Sequence, residues 1–94
     1  MKYLKKFISQ VKKRFEKTTI EEPFVTLIQV AQESPDIRNT LLSILQEDEF
    51  HRTSMISTLM EEMRFKGAPE ALITAMAGLL DARVAQKAYE LLKE

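Results

Sequence analysis

His51 is the only histidine of the 94 residues, and it follows three consecutive acids, Glu47-Asp48-Glu49. On a helix that reaches back far enough, Glu47 and His51 stand one turn apart, and an imidazole and a carboxylate at that spacing project together as two ligands of a divalent metal would. A closed site needs further ligands, and here they would have to be carboxylates or water, because the chain has no cysteine and no second histidine. The helical projection puts His51 outside the neighbouring apolar stripe, beside Thr58 and Glu62, where a solvated histidine near acids is expected. Ser54 and Thr58 lie within two turns of it, but a nucleophilic hydroxyl needs a base and a group that orients the base. Three residues on one exposed helix supply neither a walled pocket nor oxyanion donors. The acids at 47–49 and the pair Glu61-Glu62 are adjacent in sequence, so they splay around a helix instead of converging on one substrate atom. Glycine occurs only at 67 and 78, which excludes a Gly-rich phosphate loop. The expectation is a protein that is not an enzyme, with no catalytic residue, no cofactor and no metal site.

The charge pattern carries more information. Residues 1–17 hold seven of the fourteen basic side chains (Lys2, Lys5, Lys6, Lys12, Lys13, Arg14, Lys17) against one acid, Glu16, a local charge of +6; residues 18–94 hold seven bases against thirteen acids, or −6. The formal net charge of zero therefore hides a segregated chain. Leu4, Phe7, Ile8, Val11 and Phe15 recur at helical steps of three and four, with Tyr3 at the edge and the lysines opposite. Such a helix has three uses: lying in an anionic membrane surface, contacting nucleic-acid phosphates, or docking its apolar face on protein while the opposite charges attract. The wide apolar arc and the −6 remainder, which repels phosphate, favour docking in the same chain or in a second copy. Nucleic acid is the least favoured. The candidate contact residues are Lys5, Lys6, Phe7, Val11, Lys12, Lys13, Arg14 and Phe15.

Helices must position these groups. Hydrophobic residues make up 45% and charged residues 30%, too apolar for disorder, and the scattered Val, Ile and Thr give strands no support. After the basic helix at 2–17 and a connector at 18–22, Pro23 suits a first helical position. A second helix follows to about Glu33, with Phe24, Leu27, Ile28 and Ala31 on one side. Ser34-Pro35-Asp36 opens a third to about Gln46, carrying Ile37, Leu41, Ile44 and Leu45. Asp48 caps a fourth at 49–66, where Met55, Ile56, Leu59, Met60 and Met63 form the stripe. Gly67 supplies the left-handed stop, a fifth helix spans 69–80, and Asp81 caps a sixth at 82–93. The methionines at 55, 60, 63 and 76 read as core, with an adaptable binding groove as the alternative.

Two segments, 24–45 and 71–92, share one layout: an apolar helix, a turn with aspartate (Asp36-Ile37-Arg38; Asp81-Ala82-Arg83-Val84) and a second helix. The turn at Asp81, followed by Ala85, Ala88 and Leu92 at helical spacing, resembles the second helix of a HEAT or armadillo-type repeat, and the 45-residue offset from Asp36 to Asp81 suits such a repeat. The resemblance covers about half the chain and departs from the family in its extra fourth helix and its small number of units. The expectation is an all-α fold of five to six short antiparallel helices, forming a compact bundle or, as the resemblance implies, a short α-superhelix, with 23–94 as one helical domain and 1–17 as an arm able to separate from it. The expected function is a non-enzymatic protein-interaction module, self-associating or bound to a protein partner, with the basic helix on an acidic surface and a groove beside helices four and five. The alternative is peripheral binding to an anionic membrane through the basic helix. Lysines interrupt the N-terminus before a signal-peptide apolar run could form, which sets the expectation of a cytoplasmic protein.

Overall fold

Side chains that accept first-turn N–H groups set where three of the helices begin. The computed structural model describes residues 2–16 and 22–93, with side chains from residue 5 onward. Lys17, the expected connector apart from Glu22, and the side chains of Tyr3 and Leu4 lie outside the described residues. Six helices are described: α1 (Lys2–Glu16), α2 (Pro23–Glu33), α3 (Pro35–Leu45), α4 (Glu49–Phe65), α5 (Glu70–Gly78) and α6 (Ala82–Leu92). No strand occurs among the described residues, and the fold is an all-α bundle.

Ser34 Oγ accepts from Ile37 N at 3.5 Å, Asp48 Oδ1 from His51 N at 2.8 Å, and Asp81 Oδ1 from Arg83 N at 2.8 Å, capping α3, α4 and α6. The α4 end is a Schellman closure. Gly67 turns to φ 70°, Ala68 N donates to Met63 O at 2.9 Å, and Gly67 N donates to Arg64 O at 3.2 Å. Helix α5 stops two residues before the periodicity predicts. Leu79, Leu80 and Asp81 each donate to the carbonyl three residues back, a tightened turn that delivers the chain to the Asp81 cap.

Packing is organised around α2, which buries Thr26, Leu27, Ile28, Val30 and Ala31 and lies against α5, α3, α6 and α1. The two segments of like layout meet element by element, α2 on α5 and α3 on α6. Met60, Met63 and Met76 are core, and Met55 packs at its margin. Helix α1 belongs to the same core: Phe7, Ile8, Val11 and Phe15 are buried, Val11 at 0% exposure, against α3, α2, α4 and α5. The radius of gyration, 11.8 Å, agrees with the ~12 Å of a compact domain this long, as it must if α1 is folded onto the rest.

Candidate functional site

Burial divides the residues singled out on the first helix into two sets. Phe7, Val11 and Phe15 face inward and are closed off from any external partner, while Lys5, Lys6 and Lys13 are exposed and Lys12 and Arg14 are half-buried. Lys12 pairs with Glu16 at 3.8 Å on its own helix, and Arg14 pairs with Glu33 of α2. Magnitude decides what seats α1. Four buried apolar side chains contribute about 1.5–3 kcal/mol each, whereas a solvent-exposed pair such as Arg14–Glu33 adds about 0–1 kcal/mol. Apolar burial therefore outweighs charge attraction in docking this helix, and its outward face is mainly basic, with Ser9 and Glu16 also exposed.

His51 is exposed, and its acidic partner is not the one its spacing suggested. The helix begins at Glu49, so Glu47 lies outside it, and His51 Nδ1 sits 2.9 Å from both carboxylate oxygens of Asp48. No cluster of three or more metal-ligating side chains is found among the described residues. The hydrogen bond to Asp48 raises the His51 pKa above the ordinary 6.5. The His51 backbone N–H and then its ring lower Asp48 below the ordinary 3.8. The raised histidine contributes stability fully below its unfolded value and loses it as pH rises through the folded one. The lowered aspartate contributes above its unfolded value and loses it as pH falls through the folded one. The pair therefore acts most strongly between 3.8 and 6.5. An NMR titration of the His51 ring should give a midpoint above 6.5 that returns towards 6.5 in Asp48→Asn, which keeps a capping oxygen. A wild-type midpoint at or below 6.5 would refute this pairing in solution.

A concave surface lies between α2, α5 and α6. It is a groove of about 420 Å³ with Pro23, Phe24, Ala75, Gly78 and Val84 as apolar lining, Thr74 and Glu22 at its edge, and Arg83 and Lys87 one turn apart on α6. That volume falls within the range of ligand and peptide-anchor sites. No protein-family model, curated protein or solved structure matches the chain. Function must then be argued from the site itself.

Gly78 is informative because the backbone does not require it. Its φ is not positive, and a Cβ built there would meet only Val84 Cγ1 at 3.9 Å, an ordinary contact. What the missing side chain does is keep the groove open. Gly78→Ala should accordingly stabilise the protein by about 0.5 kcal/mol through reduced unfolded-state freedom, read as a higher urea midpoint. A lower midpoint would mean that the backbone there needs glycine.

Two further features escaped the sequence reading. Phe50 and Phe65, at the two ends of α4, are 75% and 90% exposed, and Phe50 meets the His51 ring edge-on at 5.6 Å. Arg52 is the reverse case, a cation buried to 7% exposure on the apolar side of α4. A signal for it was present: Arg52 stands four residues before Ile56 and seven before Leu59, on the stripe itself.

Proposed function

We propose that the protein is a non-enzymatic protein-interaction module whose docking site is the α2–α5–α6 groove. The observation that carries this is a contiguous apolar groove, open at Gly78 and bordered by Arg83 and Lys87 at i, i+4. A groove of this kind takes the apolar face of a partner helix, and the two cations select a segment with an acidic residue beside its apolar anchors. The contact of α2 with α5 and of α3 with α6 supports a repeat-like, HEAT-type organisation as part of this reading, since stacked helix pairs present such grooves.

Adsorption to an anionic membrane is the second reading, favoured by the basic face of α1. No described helix is long and apolar enough to cross a membrane. With Phe7, Ile8, Val11 and Phe15 buried, none of the described apolar side chains of α1 is free to insert, and Lys5, Lys6 and Lys13 supply about 1 kcal/mol each of salt-sensitive attraction. That sum alone gives marginal binding.

A photo-cross-linking residue at the exposed Thr74 tests the groove, with one at Ser57 on α4 as control. Adducts are expected at Thr74 and not at Ser57, and Gly78→Leu, which fills the groove, should abolish them while leaving the melting curve native. An adduct of twice the chain mass, together with a dimer in sedimentation velocity that Gly78→Leu dissociates, would identify the occupant as a second copy. Equal labelling from both positions, or labelling that survives Gly78→Leu, refutes the proposal.

A further inference from the structure

Arg52 brings a guanidinium cation into the interior of the bundle. Its Nε and Nη2 are shielded from water and make no hydrogen bond, and no ion pair to it occurs among the described residues. A buried cation without a counter-charge is destabilising, and replacing such a group by an apolar side chain of similar volume usually leaves stability unchanged or raises it. A cation buried at that penalty calls for a partner that the described residues do not supply.

The surroundings say where the partner sits. Arg52 forms part of the wall of a pocket of about 270 Å³ between the C-terminal end of α3, at Leu45 and Gln46, and the first turns of α6, at Ala82 and Ala85, with Gln86 and Tyr89 alongside. The first turn of α6 borders this space, but its end already carries the Asp81 carboxylate as its cap, so the attraction for an anion comes from Arg52. The negative end of α3 accounts for an arginine being tolerated when the pocket is empty, but it provides neither Nε nor Nη2 with an acceptor.

We propose that this pocket binds a small monocarboxylate, whose charge neutralises Arg52. The charge count selects the class. Arg52 is the single charged residue lining the pocket, so one negative charge balances it, whereas a phosphate dianion would leave excess negative charge beside the carbonyl end of α3. The volume suits an acid of a few carbons, and the Gln46 and Gln86 amides and the Tyr89 hydroxyl can bond a hydroxyl or keto group on it. The site is separate from the α2–α5–α6 groove, so either assignment can fail without the other.

The test is thermal unfolding of the full chain in sodium lactate, with sodium chloride at equal ionic strength as reference and inorganic phosphate, in a buffer alkaline enough to make it the dianion, as the dianion arm. Lactate should raise the midpoint along a saturating curve, by about 10 °C at a hundredfold excess over Kd. Arg52→Met should melt at or above the wild-type temperature without ligand and show no lactate response. Tyr89→Phe should weaken binding by about threefold to tenfold. The Arg52 Nε–H resonance of the wild-type protein, followed by NMR during the same titration, should shift and saturate, and this readout stands even if Arg52→Met does not fold. No saturable shift of that resonance, an undiminished lactate response in folded Arg52→Met, or a response to phosphate and not to lactate would each overturn the assignment.

Discussion

A chain beginning at Glu22 is expected to lose its cooperative unfolding transition. The shortened chain lacks Phe7, Ile8, Val11 and Phe15, all buried against α2, α3, α4 and α5. At about 1.5–3 kcal/mol for each fully buried side chain, the loss is roughly 6–12 kcal/mol, comparable with the whole net stability of about 5–15 kcal/mol that small domains have. The exposed apolar floor would also favour association of the remnant. Circular dichroism melting of the two chains provides the measurement, and a broad, non-cooperative trace is expected for the shorter one. A sharp transition within a few degrees of the full-length midpoint would show that residues 1–17 are a separable arm after all, and would return the apolar face of α1 to the list of surfaces available to a membrane or a partner.

Leu27→Ala is the point substitution with the largest expected effect, about 3–5 kcal/mol in a denaturant titration. Leu27 is 0% exposed on the helix that touches four others, so the cavity it leaves is walled from several directions and no single helix can move to close it. The same substitution at Leu91, 38% exposed on α6, should change stability by about 0.5 kcal/mol or less. Near-equal losses at the two positions would mean that α2 is not the centre of the packing.

Helix content and most helix starts were legible because capping is a local matter. Ser34, Asp48 and Asp81 accept bonds from N–H groups two or three residues ahead, and Gly67 needs only its own backbone freedom. The end of α5 was less legible, since three successive short-range bonds compete with continuation of the helix there. For α4 the pattern misled in both directions. Arg52 occupies a stripe position that composition assigns to an apolar residue, while Phe50 and Phe65 stand in solvent. The α2–α5–α6 groove was not legible for another reason. Its lining comes from Pro23, Ala75 and Val84, which lie far apart in the chain, and no local periodicity encodes which helices meet.

The sequence by itself determined an all-α chain, where its helices start, and a first helix with one apolar and one basic face. Those properties follow from interactions within a few residues: caps, the 3.6-residue period and the order of charges. Only the tertiary structure decided that Phe7, Ile8, Val11 and Phe15 of α1 are consumed inside the protein, that an open groove lies between α2, α5 and α6, and that Arg52 is enclosed beside a pocket with no counter-charge among the described residues. Periodicity states that a face will be buried but not against what. Burial and groove formation depend on which distant surfaces complement one another, and that is settled when the six helices pack.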